Sequence, residues 1–120
     1  MSDTLTLRGL RARGNHGVLA EERRNGQTFI VDAVLQLDTR DAAAGDDLTR
    51  TVDYAELAQR LVAVVTGEPV QLIETLADRL AACCLENPRV QRVELTVHKP
   101  EAPITLDFAD VEVTVVRERS

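Results

Sequence analysis

The chain has 120 residues, a net charge of −6 and only 2% aromatic residues. This length is typical of one domain, so residues 1–120 are predicted to form a single domain whose aliphatic core needs no metal or disulfide. The acidic balance and scattered arginines argue against nucleic-acid or membrane partners, since both favour a clustered basic face. Neither a signal-peptide pattern nor an apolar run near the ~20 residues of a membrane span occurs, which predicts a cytoplasmic protein.

The first third of the chain predicts two strands. Residues 4–12 alternate between apolar and polar side chains, with a break at Gly9 that indicates a β-bulge. A turn is predicted at 14–17 and a loop at 18–26. Residues 28–38 are the clearest strand, with one apolar face; because Ile30 and Val34 lie on the opposite face, that face is expected to be partly covered by this chain or by a copy of it.

Two helices follow an acidic segment, 41–51, that is predicted to be a loop. Asp53 is expected to cap the first helix, with Glu56 three residues later in the position of a capping box. Apolar residues continue at helical spacing until a Gly-Glu-Pro stop at 67–69. A second helix is predicted from Leu72 to the Asn-Pro pair at 87–88.

Two further strands, 93–97 and 111–116, complete a ββααββ order. Short connections between neighbouring strands favour an antiparallel sheet, with both helices packed on one face. The class is therefore α+β. Since the other face and the edges of so small a sheet need protection, self-association is expected.

Several kinds of chemistry are disfavoured by composition. The serines stand only at positions 2 and 120, and Cys83 and Cys84 fall within or beside the predicted core stripe of the second helix, as expected of free thiols in a reducing compartment. His16 and His98 are the only histidines, so a zinc site would have to combine both with a carboxylate. We predict no metal site.

Four ionisable residues remain as candidates, each with an ordinary structural explanation. Lys99 is the only lysine beside 13 arginines, and a lysine ammonium, unlike guanidinium, can release its proton when it is desolvated. Glu74, in the first turn of the second helix, could accept two hydrogen bonds from a planar N–C–N edge, although helix starts favour acids anyway. Tyr54 begins the first helix, where a half-buried aromatic is common, and Glu22 could be a solvated loop acid.

Eight segments, spread over nearly the whole chain, stand in a specific order and spacing. They are Arg8-Gly9-Leu10, the run 14–18, Glu21-Glu22, Gly26-Gln27-x-Phe29, Asp46-Asp47, Thr51-x-Asp53-Tyr54, Leu72-Ile73-Glu74-x-Leu76 and Val97-x-Lys99-Pro100-x-Ala102-Pro103-Ile104. Together these segments resemble the dihydroneopterin aldolase family. The resemblance implies the tunnelling fold, in which several sheets close edge to edge into rings. Two stacked rings, commonly an octamer with sites between subunits, would protect the sheet edges.

The resemblance also implies an activity and the residues that perform it. The family cleaves 7,8-dihydroneopterin by a retro-aldol reaction to 6-hydroxymethyl-7,8-dihydropterin and glycolaldehyde, and it epimerises the side chain. The ring C=N bond takes up the electrons, so neither cofactor nor lysine Schiff base is implied. Lys99 and Tyr54 would be catalytic, with Tyr54 presented from a neighbouring subunit. Glu74 would bind the pterin edge together with Ile73, Leu72 and Asp53, and Glu22 would hold the reactive end.

Two alternatives stay open at this point. A related epimerase acts on the triphosphate of dihydroneopterin, and Arg23 and Arg24 could bind its phosphates. A non-catalytic pterin-binding module would bind the ring and release no glycolaldehyde. Asp53 departs from the residues, histidine among them, that some family members have there, which leaves open whether its side chain affects Tyr54.

Overall fold

The computed structural model describes residues 3–119, which form one four-stranded sheet with helices against it. The strands lie in sequence order as β1 (Asp3–Gly14), β2 (Gln27–Leu37), β3 (Arg92–His98) and β4 (Glu112–Glu118). Every neighbouring pair is antiparallel. The predicted antiparallel α+β arrangement is confirmed.

Two long helices connect β2 to β3. They are α3 (Tyr54–Thr66) and α4 (Ile73–Leu85), and they begin and end within a residue or two of their predicted limits. The Asp53 side chain accepts hydrogen bonds from the backbone N–H groups of Ala55 and Glu56, as expected of the cap. Helix α3 packs against β1, and α4 packs against β3, β4 and α3.

Two predicted loops contain short helices instead. Helix α1 (Ala20–Asn25) occupies most of the predicted loop 18–26. Helix α2 (Arg40–Gly45) and the 3-10 turn Leu48–Arg50 occupy much of the segment 41–51. The loop predictions were wrong there because one-turn or two-turn polar helices have no room for an apolar stripe, which is the signal that identifies longer helices.

Strict alternation along β2 places the core. Phe29, Ala33, Leu35 and Leu37 are fully buried beneath the helices, while the intervening residues are half-buried on the opposite face. Leu80 and its neighbours on α4 supply the facing apolar stripe. A period of two on the strand and about 3.6 on the helix therefore meet in one aliphatic core.

The predicted bulge in β1 is confirmed at Gly9. The pairing register with β2 shifts between Leu7 and Leu10, and Gly9 has a φ of 74°, a left-handed conformation that suits glycine. The freed Gly9 N–H donates a 2.7 Å hydrogen bond to Asp32 Oδ1 on β2. The bulge therefore anchors a carboxylate on the sheet face opposite the helices.

Both cysteines are free and buried, as predicted. Burial raises the pKa of the Cys83 thiol, and it raises the pKa of Cys84 to about 12. These thiols are therefore packing residues and not nucleophiles at neutral pH. None of the helices within residues 3–119 has the length and apolar character of a membrane span.

Candidate active site

A close ion pair joins the end of β3 to the start of α1. Lys99 Nζ lies 2.6 Å from Glu22 Oε2, and the two side chains are only 12% and 8% exposed. Lys99 follows the last residue of β3, and its backbone N–H donates to Val111 O at 2.7 Å. The lysine is thus held by its backbone on one side and by a buried carboxylate on the other.

Glu22 is surrounded by donors. Its Oε1 accepts from the Leu19 backbone N–H at 3.2 Å, and its Oε2 accepts from Gln27 Nε2 at 3.0 Å. Burial opposes ionisation of Glu22, but the hydrogen bonds from Lys99, Leu19 and Gln27 outweigh it and lower the pKa of this carboxyl. Glu22 is therefore a carboxylate at neutral pH and not the solvated loop acid of the ordinary explanation.

The turn before α1 is shaped to admit this carboxylate. A Cβ at Gly17 would lie 2.4 Å from the Glu22 carboxyl group, so only glycine leaves room for it. Arg23 Nη1 donates to Gly17 O and Val18 O at 3.0 and 2.6 Å, and Asn15 Nδ2 donates to Arg23 O. The chain thus uses its own side chains to fix the backbone around Glu22.

His16 supports the same turn from inside. Its Nδ1 accepts from the Val70 N–H at 3.1 Å, so the Nε2–H donates to Val65 O at 2.7 Å. Burial lowers the pKa of His16, which keeps the ring neutral. With both nitrogens bonded to backbone groups, His16 has no lone pair for a metal, and it holds the predicted turn against the end of α3.

A cavity of about 330 Å³ opens beside the ion pair. Lys99 lines it together with Glu74 at the start of α4 and with Leu72 and Ile73 immediately before it. Apolar side chains from Val18, Ala102, Ile104, Val111 and Val113 complete the wall. The structure therefore brings together five of the predicted site residues, with Glu22 reached through its contact with Lys99.

Tyr54 and Asp53 do not line this cavity. Asp53 caps α3 and borders a separate depression, and the Tyr54 side chain is 61% exposed at the first residue of that helix. Within one copy of residues 3–119 neither residue reaches the cavity, and the contribution of Tyr54 from a neighbouring subunit stays a prediction. The Asp53 carboxylate is committed to helix N–H groups, which answers where this unusual side chain is used.

Two features were not predicted from the sequence. Gln27 is buried and donates to Glu22, and its Oε1 has no hydrogen-bond partner among the described residues. His98 lies on the other face of the sheet, between Asp32 and Asp110, with Glu112 also nearby. Gln27 falls in a segment that carries the family resemblance, which was the available signal; nothing local in the sequence pairs His98 with Asp32 or Asp110.

The chain has its long elements in ββααββ order, with the helices on one face of an antiparallel sheet. Together with the cavity beside the lysine–carboxylate pair, this architecture defines a tunnelling-fold enzyme. The family model described as "FolB: Dihydroneopterin aldolase" matches residues 5–116. The chain belongs to the dihydroneopterin aldolase family and is a lyase that cleaves dihydroneopterin.

Individual relatives agree with this assignment. A dihydroneopterin aldolase of Streptomyces coelicolor is 60% identical over 117 residues, which cover 98% of each chain. The crystal structure of Escherichia coli dihydroneopterin aldolase in complex with neopterin superposes with a TM-score of 0.87 at 28% identity, over 96% of this chain and 98% of that one. The structure of the Burkholderia thailendensis dihydroneopterin aldolase bound to guanine superposes with a TM-score of 0.80 at 27% identity, over 99% of this chain and 93% of that one.

Proposed function

We propose that the Lys99–Glu22 pair moves the protons of the retro-aldol reaction and that Glu74 holds the pterin ring beside it. The observation that carries this proposal is the position of the only lysine, buried against a carboxylate at the wall of a cavity that Glu74 also lines. A lysine that is 12% exposed is shielded from bulk water, which is a setting suited to directed proton transfer.

Ring recognition is assigned to the start of α4. Glu74 and the backbone around Leu72 and Ile73 line the same wall, so an N–C–N edge of a planar ring could donate two parallel hydrogen bonds to the Glu74 carboxylate. The neopterin and guanine in the two solved relatives both carry such an edge, which supports a pterin in this cavity. The half-apolar wall would contact the ring faces.

The proton transfers follow from the bond that breaks. The hydroxyl on the carbon that leaves gives up its proton as the C–C bond breaks and glycolaldehyde forms. The electron pair of that bond moves into the ring C=N group. The enol intermediate then takes a proton on the former side-chain carbon to give 6-hydroxymethyl-7,8-dihydropterin. Lys99 supplies and accepts these protons, with Glu22 as its ionic partner and with an ordered water near the ring nitrogen. Reformation of the C–C bond on the opposite carbonyl face of glycolaldehyde would epimerise the side chain at its second carbon.

Tyr54 is assigned to the site of a neighbouring copy, where its hydroxyl would assist protonation of the enol intermediate. This assignment is supported by its exposure at the start of α3 and by the exposed apolar side chains beside the cavity, namely Val18, Leu19, Leu72 and Ile104. The free edges of β1 and β4 would pair between copies to close a ring. We propose an octamer of two tetrameric rings with sites between subunits.

The substrate is proposed to lack phosphates. Arg23 was one of two arginines that could have bound a triphosphate, but its Nη1 donates to Gly17 O and Val18 O and so holds the turn. Within residues 3–119, Arg24 is then the one cation of that pair that does not hold the turn. The triphosphate epimerase is therefore the less favoured alternative, and comparison of turnover with phosphorylated and unphosphorylated substrate tests it.

The decisive experiment compares Lys99→Ala and Glu74→Ala with the parent enzyme. Lys99→Ala should retain pterin binding and lose most turnover, whereas Glu74→Ala should lose binding because the ring donors lack their acceptor. Glu101 is exposed and stands two positions after Lys99 in the sequence, so Glu101→Ala provides a matched control. Unchanged turnover in Lys99→Ala would refute the role assigned to the lysine, and binding without turnover in the parent would indicate a binding module.

Two further measurements test the chemistry. Borohydride added during turnover should trap no adduct on Lys99, since the proposed electron sink is the ring C=N bond. Activity should persist in a strong chelator; loss of activity that added zinc restores would instead establish a metal requirement. Cytoplasmic location stays a prediction from the sequence.

A further inference from the structure

His98 lies at a junction of three parts of the chain, on the sheet face opposite the helices. Its Nε2 is 2.7 Å from Asp32 Oδ2 on β2, and its Nδ1 is 2.7 Å from Asp110 Oδ2 in the segment before β4. Glu112 Oε2 lies 3.5 Å from Nδ1. A further charged neighbour is Arg8 on β1, 3.9 Å from Asp32.

The geometry fixes the protonation of this ring. A carboxylate can only accept hydrogen bonds, so both ring nitrogens must carry hydrogens to bond with Asp32 and Asp110, and the ring is then an imidazolium. Burial alone would lower the pKa of His98, but the hydrogen bonds to Asp32 and Asp110 outweigh it and raise the pKa. An imidazolium has no lone pair, so the ring cannot bind a metal ion although the group is compact enough to suggest an ion site. Asp110 Oδ1 is buried and has no hydrogen-bond partner among the described residues.

The junction closes the segment that carries Lys99. Segment 99–111 leaves β3 just after His98 and returns to β4 just after Asp110, and the Lys99 N–H donates to Val111 O across its base. The His98–Asp110 bond lies beside that backbone bond, on the other face of the sheet. Ala102 and Ile104, within the same segment, form part of the cavity wall, and Ala102 N–H donates to Lys99 O.

We propose that His98 is a positioning residue for Lys99, because it ties β2 and the Asp110 end of segment 99–111 to the strand end from which Lys99 reaches Glu22. The inference rests on the proposed role of Lys99 in proton transfer. Asp32 is itself held by the Gly9 N–H of the β1 bulge, so the tie extends across three strands. Without it, the base of segment 99–111 would be closed by the Lys99–Val111 backbone hydrogen bond, and the strand end that carries Lys99 would be held less firmly.

The test uses Asp110→Ala, since Asp110 lies outside the strands and its side chain is 27% exposed, which limits the burden on folding. Asp110→Asn is the conservative variant that keeps an acceptor for Nδ1–H. Thr114→Val is the matched control. It removes the 2.8 Å hydrogen bond between Thr114 and Thr96, which joins β4 to β3 on the same sheet face as His98 but away from segment 99–111.

We expect Asp110→Ala to lower kcat about 10-fold or more with a much smaller change in KM, because misplacement of a catalytic group costs turnover first. Asp110→Asn should recover most of that loss, and Thr114→Val should match the parent. Hydrogen–deuterium exchange followed by mass spectrometry should be faster across segment 99–111 in Asp110→Ala only. A kcat within about 2-fold of the parent, or an equal loss in Thr114→Val, would overturn the proposal.

A second measurement is independent of activity. In NMR spectra of histidine-labelled protein, the His98 ring should stay protonated through neutral pH, while the neutral His16 ring serves as internal reference. A neutral His98 at pH 7 would overturn the proposal. The Lys99→Ala assay separates failure of this proposal from failure of the proposed function. Full turnover in Lys99→Ala would remove the proposed role of Lys99. Loss of turnover in Lys99→Ala together with parent-like turnover in Asp110→Ala would remove only the role of His98.

Discussion

Replacing Glu22 with glutamine isolates the value of the buried ion pair. The change preserves size and one acceptor oxygen but leaves the Lys99 ammonium, 12% exposed, without a counter-charge. Breaking a buried pair in this way costs about 3–5 kcal/mol, and because both groups retain slight exposure we take about 3 kcal/mol. A domain of this size is stable by roughly 5–15 kcal/mol, so the variant should remain folded but be clearly weakened.

A double-mutant cycle separates the pair from its surroundings. Lys99→Met removes the ammonium, so Glu22→Gln in that background should cost less than in the parent, with an interaction free energy of about 1–3 kcal/mol. Urea unfolding at one fixed protomer concentration provides the measurement, since assembly would otherwise shift the midpoint. Glu21→Gln, an exposed neighbour on the same helix, should change stability by less than about 0.5 kcal/mol.

Two results would contradict this reasoning. Additive effects of Glu22→Gln and Lys99→Met would mean that the pair contributes no coupling despite its 2.6 Å contact. A loss in Glu22→Gln no larger than that in Glu21→Gln would mean that the ammonium finds compensation elsewhere.

Three other predictions concern the frame around the site. Asp53→Ala should lower the free energy of unfolding by about 1 kcal/mol in urea titrations, because two N–H groups at the start of α3 lose their acceptor; Asp53→Asn should retain most of it. Gly17→Ala should reduce turnover and stability together, since its Cβ would overlap the Glu22 carboxyl group, and a parent-like kcat would contradict that reading. His16 has a lowered pKa in the folded state, so its contribution to stability is fully present above the ordinary histidine pKa near 6.5. The free energy of unfolding should decline as the pH falls from there through the pKa that His16 has in the folded protein. A urea midpoint unchanged between pH 7 and pH 5 would contradict this.

The long elements were predictable because each has a local signature. Alternation of apolar and polar residues predicts β2, and Asp53 predicts the start of α3 because it can cap a helix, as it does in the structure. Gly9 could be identified as a bulge because it breaks an otherwise regular phase. Helices α1 and α2 could not be identified in this way, since six residues form too short a segment for periodicity to emerge.

The site was predicted as separate residues and not as contacts. Lys99 and Glu22 were both identified, yet their direct pairing depends on how α1 folds back onto the end of β3. The bridge from Asp32 through His98 to Asp110 is harder still to predict from the sequence, because its members come from two strands and a connecting segment. Contacts of this kind follow from sheet register, which depends on pairing between strands far apart in the chain and is not visible in the local pattern of any one of them.

Register also decides where this protein can accept inserted residues. Because side chains alternate across a strand, His98 and Lys99 serve opposite faces of the sheet from adjacent positions. One extra residue within β3 would reverse the faces of both, turning the imidazole away from the two aspartates and the ammonium away from Glu22. Libraries that lengthen the chain should therefore leave the strand intact and vary the exposed stretch 105–109, where added length does not shift the phase of either strand.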